Sequence, residues 1–246
     1  PVERLAILQK LAQVLGVSML TLRPEAGDDS TYASGVDSDL DDLRNAITGH
    51  PTIQALFDEA TPVDLDQLAA DADTAWQAAL NTDFGPLARL IPVLELAAAK
   101  PNAEPASPEV LDLLARSYQA ASAGFARQDE ADAAWLCADR ALRAAERSGT
   151  WQQVIAGHFR LAHTFIRLRR LDQAQLVTRN ALDAIAPLVT KDADPDVLSL
   201  CGALQLVLAA LAGFRNDRTA AKDALDIAGQ LAEQVGEGRN DYDTEF

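Results

Sequence analysis

The amino-acid sequence predicts an all-α fold, and three observations lead to this prediction. The chain has 246 residues, 48% of them apolar, with Ala and Leu dominant over Val, Ile and aromatic residues, a balance that favours helices over strands. Apolar residues recur at helical spacing along most of the chain. No segment alternates polar and apolar residues between hairpin turns, which is the pattern typical of strands.

Turn-forming residues separate the predicted helices from one another. Ser107 before Pro108 is typical of a helix start, since serine caps free N–H groups and proline fits the first turn. Gly149 is typical of a helix end, because glycine readily adopts the left-handed conformation found there. The pattern predicts a short helix from about Ser38 to Thr48, followed by helices over 64–81, 84–99, 108–127, 129–148, 151–169, 171–187, 196–213 and 217–235.

The chain divides by composition into four parts. Residues 1–24 are helical in pattern, residues 25–36 are small and polar and are typical of a linker, and residues 37–236 form the main helical domain. Residues 237–246 are interpreted as the start of a further segment or a tail. Because the chain has no initiator Met and opens inside a helical pattern, we expect it to be a piece of a longer protein trimmed at both ends.

A repeat is visible within the main domain. Small residues recur seven positions apart, and a bulky residue, Phe125 or Phe165, lies nine positions before the first of them, with Ala212 in its place in the last copy. The periods are 40 and 47 residues, and the small residues are Ala134 and Ala141, Ala174 and Ala181, and Ala221 and Ala228. This pattern predicts stacked helical pairs; the alternative is an ordinary Ala-rich helical bundle.

The repeat is similar to the tetratricopeptide repeat. The Gly/Ala, aromatic and Ala positions of that repeat fall on Ala162, Phe165, Ala174 and Ala181. His158 departs from the pattern, since it stands where the repeat prefers Trp, and the periods exceed the usual length of about 34 residues. The resemblance implies an α-solenoid of tetratricopeptide-like helical pairs.

A second resemblance lies at the start of the chain. The run Leu11-Ala12…Leu15-Gly16-Val17-Ser18 resembles the closing helices of a Cro/repressor-type (xenobiotic-response-element, XRE) helix-turn-helix domain. With the linker and the repeats, nearly the whole chain resembles actinobacterial regulators that join this domain to tetratricopeptide repeats. The segments that carry this wider resemblance are 118–122, 135–142, 159–163 and 239–246.

The family resemblance implies a DNA-binding transcriptional regulator, expected to be a homodimer, whose repeat domain acts as sensor or interaction module. In that family the recognition helix, which enters the major groove, precedes the segment seen here, and more repeats follow its end. Operator DNA is therefore expected to bind through the parent protein's missing N-terminal helices. Arg4 and Lys10 would at most contact phosphates, and the alternative for both is a solvated helix face. The other function that the repeats allow is a protein–protein interaction scaffold without DNA binding.

A basic cluster within this acidic chain is the candidate binding site. By helical phase, one set of side chains should line the concave surface formed by the first helices of the pairs, where guanidinium groups would bind carboxylate or phosphate. The expected ligand is an acidic peptide, a small anion or a protein partner. The alternative is that the arginines only pair with Asp and Glu of neighbouring helices. The set is Arg89, Arg116, Gln119, Arg127, Phe159, His163 and Arg167.

The sequence contains no motif that indicates an enzyme or a cofactor. It has no Gly-rich phosphate loop, no HExxH and no CxxC. His158 and His163 lie five positions apart, which separates them around the helix, so we expect no metal site. Asp37-Ser-Asp39-Leu-Asp41 lacks the Gly and the terminal Glu of a calcium loop.

The cysteine content and a start without the long apolar core of a signal peptide predict a cytoplasmic protein. The net charge of −16 argues against non-specific nucleic-acid binding over the whole surface. Cys137 and Cys201 are predicted to be buried thiols in a reducing compartment rather than a disulfide. The segment Val197 to Phe214 has no charge and is long enough to span a bilayer, but we predict a central helix packed on both sides, and no membrane partner.

Overall fold

The computed structural model describes residues 30–50, 64–99, 107–190 and 192–236. Within these ranges the chain forms nine α-helices and one short 3-10 helix, and no strand. The all-α prediction is confirmed. The predictions for 1–24, for 25–29 and for 237–246, including the roles suggested for Arg4 and Lys10, lie outside the described residues.

Eight of the nine helices have ends within two residues of those predicted from sequence. Ser107 accepts a hydrogen bond from the backbone N–H of Val110, and Gly149 ends its helix with a φ of 80°, so both predicted helix boundaries are confirmed. The helices are α1 (Ser30–Thr48), α2 (Leu65–Leu80), α3 (Gly85–Ala98), α4 (Pro108–Arg127), α5 (Ala131–Ser148), α6 (Trp151–Arg167), α7 (Leu171–Ile185), α8 (Pro195–Phe214) and α9 (Arg218–Val235), and the 3-10 helix Ala186–Leu188 follows α7.

Helix α1 differs from the prediction. It begins at Ser30, eight positions before Ser38, so residues 30–36 are helical and only the earlier part of the predicted linker remains untested. The segment contains no proline, and its serine, threonine and glycine residues lower helix propensity without breaking a helix. The chain separates into two compact units at Ser38/Asp39, and the second unit is described below.

Helices α2 to α9 form four consecutive pairs: α2–α3, α4–α5, α6–α7 and α8–α9. The first helices lie side by side in chain order, α2 on α4, α4 on α6 and α6 on α8. The second helix of each pair also packs on the first helix of the next, α3 on α4, α5 on α6 and α7 on α8. Each pair therefore buries its apolar surface against the pairs before and after it.

The turns inside the pairs share one geometry. In all four the helix ends with a backbone N–H that reaches back to the carbonyl five residues earlier: Asp83 to Ala78 at 3.0 Å, Glu130 to Phe125 at 2.9 Å, Arg170 to Phe165 at 2.8 Å, and Asp217 to Ala212 at 3.0 Å. The last three acceptors are the positions that the sequence repeat makes equivalent. The residue before each donor is left-handed, with φ of 63° at Thr82, 61° at Asp129, 59° at Arg169 and 57° at Asn216.

The small residues of the repeat lie where helices approach closely. Five of the six are buried, with exposures of 3% or less, and Ala221 is half-buried. Glycine serves the same purpose where α4 crosses the start of α3, because a Cβ on Gly124 would lie 2.5 Å from Cε1 of Phe84. Alanine and glycine at these crossings let backbones come close without a cavity. The buried set is Ala134, Ala141, Ala174, Ala181 and Ala228.

Helix α8 is the one helix of the described ranges with the length and apolar composition to cross a membrane. Of its most apolar window, 67% is buried in this structure, where α8 packs on α6, α7 and α9. This arrangement agrees with the prediction of a central helix. Cys137 and Cys201 are both buried free thiols, as predicted.

Candidate interaction face

The seven predicted binding residues lie on three helices and fall into three groups. Arg89 is on α3, and the others are on the first helices α4 and α6. Three of the arginines contact the preceding helical pair, two of the seven side chains are buried, and Arg89 and His163 are exposed to solvent. We call the whole set the arginine face: Arg89, Arg116, Gln119, Arg127, Phe159, His163 and Arg167.

Three arginines of this face bridge to the preceding pair. Arg116 Nη2 lies 2.9 Å from Asp73 Oδ1 on α2, and Arg127 Nη2 donates to the carbonyl oxygen of Ala79 at 3.0 Å. Arg167 Nη1 lies 3.4 Å from Asp129 Oδ1 in the turn between α4 and α5. The alternative stated from the sequence, in which the arginines pair with Asp and Glu of neighbouring helices, therefore describes Arg116 and Arg167, whereas Arg127 contacts a backbone carbonyl.

The fourth pair contains a similar bridge that the sequence analysis missed. Arg215, just after the end of α8, lies 2.6 Å from Asp172 Oδ1 through Nη2 and also contacts Gln175. Arg127, Arg167 and Arg215 all stand one or two residues before a left-handed turn residue. The turns and the alanines share the offsets of 40 and 47 residues, so either alignment puts Phe214 at the position of Arg127 and Arg167, and Arg215 stands one residue later. The end of each first helix thus lies beside the preceding pair, within reach of a long side chain.

These bridges are exposed and consequently weak. The Arg167 and Asp129 side chains are 52% and 66% exposed, and Asp73 is 68% exposed. Exposed ion pairs contribute about 0–1 kcal/mol, since water screens them and both side chains lose freedom. A ligand carboxylate would therefore displace Asp73 or Asp129 at small cost.

Gln119 and Phe159 are not on an open surface, contrary to the prediction. Their exposures are 1% and 4%, and Gln119 Nε2 donates to Gln153 Oε1 at 3.0 Å across the α4–α6 contact. Helical phase assigns one buried face to each helix, but α4 is enclosed by α2, α3, α5 and α6. Helical phase alone therefore cannot tell whether a side chain lines an open groove or lies in a contact between two helices.

His163 is the most unusual titratable group of the face. Its ring packs on that of Phe159, with centroids 4.4 Å apart, while one side of the residue stays exposed. Protein atoms displace water around the ring, and the nearby charges of Arg160 and Arg167 add to this effect, so its pKa falls to about 4. At neutral pH the imidazole is uncharged and can both donate and accept a hydrogen bond.

Arg89 is exposed and forms neither a hydrogen bond nor an ion pair with any residue that the structure describes. It lies on α3, the second helix of its pair, whereas Arg116, Arg127, His163 and Arg167 belong to first helices. Among the four arginines of the face, Arg89 is therefore the one whose guanidinium is not engaged in a bridge to the preceding pair. The face combines this unengaged cation with three weakly held ones and a neutral histidine.

A partly buried polar cluster joins four helices and was not predicted. Tyr118 on α4 donates to Glu95 on α3, and Arg140 on α5 donates to Tyr118 Oη at 2.9 Å and to Glu95 Oε1 at 3.2 Å. Arg140 also donates to the carbonyl of Ile47 on α1 at 2.5 Å. Burial, together with the bond to Glu95, raises the pKa of Tyr118 above its usual range. The cluster thus connects α1, α3, α4 and α5 through side-chain hydrogen bonds.

The described residues bring together no group of three His, Cys, Asp or Glu side chains able to hold a metal ion. His158 instead contacts the carbonyl of Val154 through Nδ1 at 2.8 Å, within its own helix.

Comparisons with protein-family models, with curated proteins and with solved structures find no match to this chain. Its class is therefore defined by its architecture, an all-α protein built of stacked helical pairs. Its function has to be argued from the surface that these pairs present.

Proposed function

We propose that this chain is the repeat domain of a DNA-binding transcriptional regulator and acts as its sensor or interaction module. The observation that carries the proposal is the succession of helical pairs with equivalent turns and first helices side by side. Such an arrangement is typical of α-solenoids, which use the first helices as an extended binding surface. The DNA-binding part of the proposal rests on the resemblance of Leu11 to Ser18 to an XRE-type helix-turn-helix domain.

The proposed binding surface is the solvent-accessible part of the arginine face, without the buried Gln119 and Phe159, and the proposed ligand is an acidic peptide or an acidic segment of a protein partner. Arg116 and Arg167 would exchange the exposed carboxylates of Asp73 and Asp129 for ligand carboxylates. Because these ion pairs connect successive pairs, exchange would alter how the pairs stack. In a cytoplasmic homodimer this change in stacking would alter the spacing of the two DNA-binding domains, and with it the affinity for operator DNA.

Gel shift with genomic DNA tests the regulator proposal. Full-length protein is expected to shift a subset of fragments, and cell extract is expected to change the shift, whereas the 246-residue chain alone gives none. Absence of a shift by full-length protein under every condition would exclude the regulator and leave a tetratricopeptide-like scaffold.

An array of acidic peptides tests the binding surface. The double variant Arg116→Ala/Arg167→Ala should weaken binding of a captured peptide by at least about ten-fold, since charge-assisted hydrogen bonds contribute about 1.5–3 kcal/mol. The control is Arg143→Ala, which removes an exposed ion pair with Asp139 outside the face. Unchanged peptide affinity, with a stability loss under about 1 kcal/mol, would show that the two arginines only connect neighbouring helical pairs and do not bind the peptide.

The scaffold without DNA binding is the second candidate, and one observation favours it. Helix α9 exposes two large apolar side chains, Leu225 at 52% and Ile227 at 43%. They lie two positions apart and so point to different sides of the helix, which leaves single apolar side chains, not a continuous patch, available to contact another protein. The gel shift described above separates the two candidates.

A further inference from the structure

A cleft of about 570 Å³ lies between α7 and α8, and no residue of the arginine face lines it. One side is a stripe of α7 and the turn after it, and the other is two residues of α8 one helical turn apart. The volume falls within the range of about 300–1,000 Å³ usual for small-molecule sites. The lining residues are Arg179, Leu182, Asp183, Ala186, Val189, Cys201 and Gln205.

Comparison with the preceding pair gives a physical reason for the cleft. The repeat offsets of 40 and 47 residues make Leu182 equivalent to Leu142 and Leu204 equivalent to Gly157. At the α5–α6 contact, a Cβ on Gly157 would lie only 3.3 Å from Cα of Leu142, so the two backbones meet closely. At the α7–α8 contact the glycine is replaced by Leu204, which is fully buried. A leucine side chain there requires a wider helix spacing, since interaxial distance follows the side chains at the contact.

The charges at the rim of the cleft also differ from those of the preceding pair. On α5 the equivalent positions are Asp139 and Arg143, in the order that favours an i,i+4 ion pair, and Arg143 Nε lies 2.8 Å from Asp139 Oδ2. On α7 the order is reversed, Arg179 before Asp183. Neither group forms an ion pair or hydrogen bond within the part of the chain that the structure describes. The cleft therefore presents a cation and an anion one helical turn apart, both available.

We propose that this cleft is a binding site for a small zwitterion with an apolar body, an apolar amino acid or short apolar peptide. Its carboxylate would bind Arg179 in the bidentate manner that a guanidinium allows, and its ammonium group would bind Asp183. Its apolar part would pack on Leu182, Ala186 and Val189, with the Gln205 amide beside the polar end. This site is independent of the proposed DNA binding, because it belongs entirely to α7, α8 and the turn after α7.

The rate at which Cys201 is alkylated can report whether the cleft is occupied. Cys201 lines the cleft with 7% exposure, whereas Cys137 is fully buried in the other core cluster. The 246-residue chain is alkylated with N-ethylmaleimide, and the labelled cysteine is identified by mass spectrometry, with and without L-leucine or leucyl-leucine. We expect either zwitterion to slow the labelling of Cys201. Cys137 should stay unlabelled with or without a zwitterion, because it is fully buried. Hexanoate and isoamylamine, which each carry one of the two charges, should protect at least about ten-fold more weakly.

Variants separate the site from a general effect on stability. Arg179→Gln and Asp183→Asn should each weaken protection at least about ten-fold, and Ala186→Trp should abolish protection by filling the cleft. The matched control is the double variant Asp139→Asn/Arg143→Gln on α5. In this variant the zwitterions should protect Cys201 from labelling as they do in the unaltered chain. Equal protection by the zwitterions and both single-charge probes, or unchanged protection in the α7 variants, would overturn the proposal. So would the absence of protection by either zwitterion when the far-ultraviolet circular dichroism shows a folded chain.

Discussion

At the scale of single residues, the cluster of Glu95, Tyr118 and Arg140 shows how a long side chain organises several helices. Arg140 contacts α1, α3 and α4 from its place on α5, and its guanidinium also lies 5.7 Å from the ring centroid of Tyr118. The side chains of Arg140 and Glu95 are only 21% and 14% exposed. A sequence pattern cannot find such a cluster, because Arg140 lies 22 positions from Tyr118, 45 from Glu95 and 93 from Ile47.

Removing the cation of this cluster should cost more stability than removing an exposed one. We expect Arg140→Ala to lower the free energy of unfolding by about 2–3 kcal/mol, since the largely buried Glu95 carboxylate loses its counter-ion and keeps only the hydrogen bond from Tyr118. Arg143→Ala on the same helix should cost less than about 1 kcal/mol. Urea denaturation of both variants measures the difference, and equal losses would show that Arg140 contributes no more than a surface arginine.

The second residue-scale prediction concerns pH and His163. Its folded-state pKa of about 4 lies below the usual 6.5, so below pH 6.5 the unfolded chain takes up this proton before the folded one does. The stability associated with the neutral ring is therefore present above pH 6.5 and is lost as the pH falls from 6.5 toward 4.

We expect His163→Gln to lose less stability than the unaltered chain between pH 7 and pH 5. Urea midpoints at the two pH values measure this, with His50→Gln as the control, because His50 is exposed in a turn. An identical pH dependence in the His163→Gln variant would show that the ring titrates as a free histidine.

At the scale of elements, the turns inside the pairs are the most regular feature of the fold. Each places a non-glycine residue in the left-handed region, and in the first pair this residue is Thr82, with φ of 63°. The left-handed conformation costs an L-residue about 1–2 kcal/mol. Asparagine adopts this conformation more readily than a β-branched residue such as threonine does. The helical pair is thus held by its backbone bonds and buried alanines despite unfavourable turn residues.

Replacing the strained turn residue by glycine should stabilise the protein. We expect Thr82→Gly to raise the free energy of unfolding by about 0.5–1 kcal/mol, because glycine enters the left-handed region freely. Asn216→Gly at the equivalent position of the fourth pair should change it less, since asparagine already tolerates this conformation. Thermal denaturation of both variants distinguishes them, and an equal or larger gain for Asn216→Gly would contradict the argument.

Glycines inside the helices provide a matched pair of substitutions. Gly124→Ala should destabilise the protein by about 1–3 kcal/mol, since its Cβ would meet the buried Phe84 ring at 2.5 Å. Gly229→Ala on the exposed side of α9 meets nothing within 4 Å and should stabilise by about 0.5–1 kcal/mol through helix propensity. A loss of stability in both variants would show that the two sites do not differ in packing.

At the scale of the whole described chain, stability is distributed along neighbouring pairs. Two core clusters divide between Ala145 and Ile155, one built on α1 to α5 and the other on α6 to α9. The arginine bridges, the Gln119–Gln153 hydrogen bond and the Leu142–Gly157 contact join adjacent pairs. A change in the contact between two pairs, from a ligand or a substitution, therefore acts first on its immediate neighbours.

The sequence by itself determined the all-helical class, the ends of most helices and the equivalent positions of the repeat. These features depend on local chemistry: helical spacing of apolar residues, capping serine, turn glycine and alanines seven positions apart. The start of α1 was missed for the same reason, because small polar residues before it are compatible with both helix and linker.

Only the tertiary structure decided which side chains lie on a surface and which lie between helices. It placed Gln119 and Phe159 inside, engaged Arg116, Arg127 and Arg167 with the preceding pair, and opened a cleft beside Leu204. The physical reason is that a helix such as α4 has four packed neighbours, whereas its sequence period records only that it is amphipathic. Partners distant in the chain set the remaining faces, and with them every candidate binding site.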